Sequence, residues 1–258
     1  MHQIIMEIIR QTNRWHIVLF MLVELHIIPK QQLGFECNDP ALSHPFTGDT
    51  ISWKWLLTTV CFLPLVVRIY HKEDNSNRAR NRSLFWYREY MFGMLINLII
   101  VQSLKILVGA PRPHFFATCN SLEATTCQGT EFVSSYTCKD APWLSKSDTS
   151  FPSGHAALAV HTGVFITYYL YQRTKHVRSN VIRAIQVLSI LGAIFCAVSR
   201  ITDRRHHWWD VVAGSIIGMP IVALTIYSFC ENFIDSTDQD DGREENEMII
   251  DYFTQHLQ

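Results

Sequence analysis

Charge is scarce in this chain: 17% of its 258 residues are Asp, Glu, Lys or Arg, against 48% hydrophobic residues. That is apolar for a soluble domain. The mean hydropathy is nonetheless only +0.07, because polar segments interrupt the apolar ones. Other patterns are missing too. The seven cysteines show none of the paired Cys/His spacings of a zinc site. No cluster of carboxylates offers a magnesium site, no internal repeat is visible, and neither a cofactor nor a nucleic-acid partner is expected. A cleavable signal peptide is also lacking, since the first apolar stretch carries Glu24 and His26 without a small-residue cleavage site. That stretch is therefore expected to stay in the protein.

What the chain does have is six apolar runs near membrane-spanning length, at 15–28, 55–70, 90–108, 156–171, 181–198 and 211–230. Short or polar runs read singly as buried helices of a soluble protein, but six in one small chain argue for an all-α bundle of six transmembrane helices. Arg68, Lys72, Arg78, Arg80, Arg82 and Arg88 lie between the second and third runs, and Arg173, Lys175, Arg178 and Arg183 between the fourth and fifth. The positive-inside tendency puts both loops in the cytosol. With Arg10 and Arg14 ahead of the first run, both termini join them, and the first, third and fifth loops face outward. The sequon Asn81-Arg82-Ser83 then falls in the cytosol and is expected to be unused. Cys37, Cys119, Cys127 and Cys138 fall outside, where disulfides can form. Three pairings of two bridges are open, with at least one bridge expected inside the long loop 111–151. Residues 1–230 form the membrane domain. Residues 231–258, with nine acidic residues against Arg243, form a separate cytosolic tail with room for a short helix at 248–253.

Three clusters at the outer ends of the runs carry chemistry. In KILVGAPRP, Lys105 lies so near hydrocarbon that it must snorkel or meet a partner, and interfacial anchoring competes evenly with a functional role. Pro111 and Pro113 are expected to stop the helix and to hold Arg112 where its fork can address phosphate oxygens. In FPSGHAALAV, Ser153 can cap a helix whose free N–H groups and dipole favour an anion. His155 stands at the mouth of that helix to exchange a proton with a leaving oxygen. In SRITDRRHHWWD, His206 and Asp210 are four residues apart, so a helix would put them on one face, the carboxylate orienting one ring nitrogen and freeing the other to attack. Arg200 adds positive charge against the same anion. His207 is expected to point elsewhere, Trp208 and Trp209 to sit at the interface, and Arg204 and Arg205 to be solvated or lipid-facing.

Together these spacings resemble the type 2 phosphatidic acid phosphatase superfamily, whose signature K-x6-RP, PSGH, SR-x5-H-x3-D is present in order and without substitution: Lys105, Arg112, Pro113; Pro152 to His155; Ser199, Arg200, His206, Asp210. The likeness runs from about Phe35 to Cys230. It is nearest to the animal phospholipid phosphatases through FECNDPALSHPF, RPHF and HHW, though the long outer loop lacks a sequon and the tail is short and acidic. The resemblance implies a metal-independent lipid phosphate phosphatase in the plasma membrane or an endomembrane. Its substrates would be phosphatidic acid, lysophosphatidic acid, sphingosine 1-phosphate and ceramide 1-phosphate. His206 would form a phosphohistidine, oriented by Asp210, while His155 protonates the leaving alcohol and then activates water. Lys105, Arg112, Ser153, Gly154 and Arg200 would hold the phosphate. An isoprenoid diphosphate phosphatase or sugar phosphatase of the same superfamily would share every one of these residues. An inactive membrane scaffold should have lost His155, His206 or Asp210, and a transporter should carry charges along a path through the spans. Self-association is left open.

Overall fold

The computed structural model describes residues 31–70, 77–139, 147–174 and 179–233. The expected span at 15–28, the residues Arg10, Arg14, Lys72, Lys175 and Arg178, and the acidic tail lie outside the described residues. Among the described residues five long helices form a bundle: α1 (Trp53–Tyr70), α2 (Asn77–Val108), α5 (Gly154–Arg173), α6 (Asn180–Thr202) and α7 (Trp208–Leu224). α7 continues into a π turn, Thr225–Phe229, a few residues after Pro220, which cannot donate to the regular ladder. Two short helices, α3 (Phe115–Cys119) and α4 (Leu122–Thr126), and an antiparallel pair, β1 (Phe35–Glu36) with β2 (Phe132–Val133), build a cap at one end. Five of the six apolar runs thus become helices, the third as the second half of a helix that starts thirteen residues earlier.

α5 is the centre of the bundle. Thirteen of its twenty residues are buried, including His161 and Thr162, and its neighbours hold it by polar as well as apolar contact. Tyr90 of α2 hydrogen-bonds both the Val60 carbonyl of α1, at 2.9 Å, and the Thr162 hydroxyl, at 2.8 Å. Asn97 of α2 donates to the Ala157 carbonyl at 3.2 Å, and Gln186 of α6 to the Thr167 carbonyl at 3.1 Å. Because protein surrounds α5, it can carry polar groups that lipid would penalise.

The outer helices show the opposite pattern. Leu188 of α6 is 65% exposed and Ile216 of α7 is 64% exposed, in company with Leu191, Phe195, Val212 and Met219. Such faces would be a liability in water and are what a lipid environment requires. Among the described residues three helical stretches are long and apolar enough to cross a membrane, Asn81–Val108, Asn180–Thr202 and Trp208–Phe229, and Trp53–Val67 is a shorter apolar helix.

The cap has its own small core of Phe35, Leu42, Phe115, Cys119 and Tyr136. Two disulfides close it. Cys119–Cys138 lies within the long loop as expected, and Cys37–Cys127 ties the segment before α1 to that loop. α1, α5 and α7 start at the capped end, while α2 and α6 finish there, so all three sequence clusters meet at one end of the bundle.

Candidate active site

α2 ends where Gly109, at φ +57°, adopts the left-handed conformation that glycine allows, with its N–H bonded to the Lys105 carbonyl at 3.0 Å. Gly109 stops the helix, and not Pro111 and Pro113. Lys105 turns inward and donates to the Thr149 carbonyl at 2.8 Å, so it does not act as a simple interfacial anchor. Arg112 is 6% exposed. Its terminal nitrogens reach the carbonyls of Arg205, at 3.4 Å, and Thr149, at 3.3 Å, and its buried Nε has no hydrogen-bond partner. Burial, then the neighbouring Arg205 and Arg200 charges, lower the Arg112 pKa. The pocket holds cationic charge in excess of its anions.

Ser153 caps α5 through a long bond, 3.5 Å, from the Ala156 N–H to its hydroxyl. Its own N–H donates to the Asp210 carbonyl at 2.9 Å, which joins the start of α5 to the start of α7. That junction is close because α7 presents glycines there: a Cβ on Gly214 would collide with the Ser153 carbonyl, and one on Gly218 would lie 2.5 Å from the Ala157 carbonyl. The G-x-x-x-G spacing of small residues is a helix-packing device that the motif reading overlooked. His155 packs on Trp53, ring centroids 5.4 Å apart, and its Nε2 lies 3.1 Å from the Ile51 carbonyl. A carbonyl can only accept, so Nε2 carries the proton there.

Arg200 is 1% exposed and fully engaged at its tip: one terminal nitrogen donates to the Ile51 carbonyl at 3.1 Å, the other to Asp49 at 2.6 Å, and Nε is buried without a hydrogen-bond partner. α6 stops at Thr202, and Arg204, at φ +54°, turns the chain so that the N–H groups of Arg205 and His206 both return to the Arg200 carbonyl. His206 therefore precedes α7 and is not on a helix with Asp210. The turn instead brings the two close, His206 Nδ1 standing 3.7 Å from Asp210 Oδ2, longer than the expected hydrogen bond, and that nitrogen has no hydrogen-bond partner. His207 does not point elsewhere. It is the N-cap of α7, its N–H donates to Asp210 Oδ2 at 2.9 Å, its Nδ1 lies 3.4 Å from the same oxygen, and its ring stacks on Trp209. Helical spacing misplaced it because the helix begins one residue later.

Several site residues were not singled out from the sequence. Ser150 donates to Asp210 Oδ2 at 2.5 Å and is fully buried. The Ser147 to Phe151 segment supplies the carbonyls that receive Lys105 and Arg112. The run SDTS just ahead of PSGH was the available signal. Arg204 is exposed as expected, but Arg205 is not lipid-facing: it pairs with Asp49 at 3.0 Å, covers the Phe46 ring and donates to His114 Nε2 at 3.2 Å. Burial first, then the Arg112 and Arg205 charges, push His114 down to about 3, so it stays neutral and accepts that bond. Burial, reinforced by Arg112 and Lys105 and opposed by Asp210, holds His206 well below the ordinary imidazole range. Among the described residues no group of three or more His, Cys, Asp or Glu is placed to hold a metal ion.

At one end of its bundle this helical membrane protein gathers four buried or half-buried cations and four imidazoles, a concentration of positive charge suited to an anion. The chain belongs to the PAP2 superfamily, whose model matches residues 86–234. Among curated proteins it is 32% identical over 231 residues to the "Putative phosphatidate phosphatase" of Drosophila melanogaster, covering 76% of this chain and 60% of that one. It is 31% identical to the "Phospholipid phosphatase homolog 1.2 homolog" of Caenorhabditis elegans over 72% of this chain and 62% of the relative. To "Phospholipid phosphatase 1" of Rattus norvegicus it is 24% identical, over 83% of this chain and 81% of the relative. The chain thus spans less than two thirds of the length of the fly and worm proteins. No solved structure matches it.

Proposed function

We propose that this protein is an integral membrane phosphatase that hydrolyses phosphomonoesters of lipids, at a site on the outer or lumenal face, through a phosphohistidine on His206. The observation that carries this is the pair of buried guanidinium Nε–H groups, on Arg112 and Arg200, left without a hydrogen-bond partner while the tips of both side chains are anchored to protein oxygens. Orphaned donors of this kind are costly unless a ligand satisfies them, and a phosphate brings the acceptors. Family membership and the names of the relatives, phosphatidate and phospholipid phosphatases, favour a lipid phosphate as that ligand.

In this reading the phosphate sits among Lys105, Arg112, Arg200 and the free N–H groups at the start of α5, capped by Ser153 and opened by Gly154. Asp210 faces His206 Nδ1, so Nε2 attacks phosphorus and the bond from phosphorus to the lipid oxygen breaks. His155, entering this step protonated on both ring nitrogens, donates one proton to that oxygen and is left as neutral imidazole, and the lipid alcohol departs. His155 then takes a proton from water, whose oxygen attacks the phosphohistidine and releases inorganic phosphate with His206 restored. Charge developing on the equatorial oxygens is met by the fixed cations, without a step that calls for a metal ion.

The site lies at the lipid interface, where a headgroup can enter while its tails stay in the leaflet. Phosphatidic acid, lysophosphatidic acid, sphingosine 1-phosphate and ceramide 1-phosphate all have that form. Six crossings, with both termini and the arginine-rich loops in the cytosol, complete the proposal.

The test measures phosphate release from this set of lipids, and from an isoprenoid diphosphate, in mixed micelles containing EDTA. Release that persists in EDTA, is blocked by vanadate and falls at least about a thousandfold in His206→Ala is the expected result. Equal rates from the two proteins would reject the proposal.

A further inference from the structure

The pocket contains a carboxylate that the proposed chemistry does not use. Asp49, four residues ahead of α1, directs a single oxygen at two guanidinium groups: Oδ1 lies 2.6 Å from Arg200 and 3.0 Å from Arg205. The segment that carries it is strapped down on both sides. Thr50 donates its N–H and its hydroxyl to Asp203, at 2.8 and 2.6 Å, and the Ile51 carbonyl receives both Arg200 and His155. Arg200 is thereby clamped at both terminal nitrogens, while its buried Nε has no hydrogen-bond partner. Asp49 itself is not sealed in, its side chain being 27% exposed.

We propose that Asp49 is the counter-ion of the phosphate cradle, a positioning residue that aims Arg200 and Arg205 and keeps the pocket from gripping inorganic phosphate too tightly. This rests on the phosphatase reading and extends it to product release. A cradle with Lys105, Arg112, Arg200 and Arg205 and no nearby carboxylate would hold a dianion strongly, and a hydrolase must let that dianion go. Asp49 offsets part of that charge through its contacts with Arg200 and Arg205. Burial acts to raise the Asp49 pKa, but the Arg200 hydrogen bond and the Arg205 and Arg200 charges outweigh it and lower the value, so the carboxylate remains ionised.

The sign of the effect separates this role from a structural one. Inorganic phosphate binding is measured by calorimetry on the full chain in detergent, for the unaltered protein, Asp49→Asn, Asp49→Glu and Arg112→Ala. Asp49→Asn is expected to bind phosphate on the order of tenfold more tightly, with a lower kcat because product lingers. Asp49→Glu, which keeps the charge, should return both quantities toward the unaltered values, and Arg112→Ala should bind more weakly. If Asp49 merely braced the loop, Asp49→Asn would loosen Arg200 and weaken phosphate binding. Binding by Asp49→Asn that is no tighter than the parent's overturns the proposal. Failure to recover monodisperse protein for both Asp49 variants does so equally, since it would make the residue a structural anchor. A parent that binds phosphate but releases none from any lipid would defeat the phosphatase reading alone.

Discussion

At the scale of single residues, burial and cationic neighbours act on His206 in the same direction, and a nucleophilic imidazole benefits because its neutral form persists into mildly acidic solution. The acidic limb of kcat/KM should therefore lie below about pH 6.5, the ordinary imidazole value. Arg112 and Lys105 each help to hold the value down, so Arg112→Ala should move that limb to higher pH besides costing about a hundredfold in turnover. Asp210→Asn removes the partner that favours the charged imidazole, and should move the limb lower. The substrate's own ionisation is shared by all variants and cancels in the comparison. A limb that stays put in both variants would mean that another group sets it. The identities of His206 and Asp210 were legible from their four-residue spacing, but the route to their pairing was not. A left-handed Arg204 and a turn bring them together where a helix was expected.

At the scale of the element, α7 is as much a part of the site as the residues at its tip. Gly214 and Gly218 let it lie against the Ser153 and Ala157 carbonyls, and that contact sets the distance between the PSGH turn and the His206–Asp210 pair. Gly214→Ala forces a Cβ into the Ser153 carbonyl, so overpacking of about 1–3 kcal/mol is expected. A fall in the detergent Tm should accompany a loss of turnover larger than that of Gly192→Ala, since nothing lies within 4 Å of a Cβ at Gly192. Equal turnover in the two variants would detach helix spacing from catalysis. Sequence patterning located five helices. α5 comes from the run at 156–171, one of the short or polar runs that read singly as buried helices of a soluble protein, and it is the most enclosed helix of the bundle. Periodicity cannot tell a helix that faces lipid from one sheathed by its neighbours.

At the scale of the whole molecule, the arrangement of loops predicts which face meets which compartment. Gln128 lies on the exposed turn of the cap, and Gln128→Asn would create the sequon Asn-Gly-Thr with Gly129 and Thr130. Expressed in a glycosylating cell, that variant should shift in mobility and return on treatment with an N-glycosidase, while the native Asn81 sequon stays unmodified. A glycan on Asn81 would invert the proposed orientation. The sequence by itself determined the residue types of the site and their grouping into three clusters, because motif spacing and apolar runs are local properties of a chain. It also determined that four cysteines share one side, and expected a bridge within the long loop. Only the tertiary structure decided that Cys37 pairs with Cys127, that Arg205 turns inward, and that Asp49 joins Arg200 across 151 positions of sequence. Pairings over such distances depend on how the helices pack and where loops return, and no local pattern of side chains encodes that geometry.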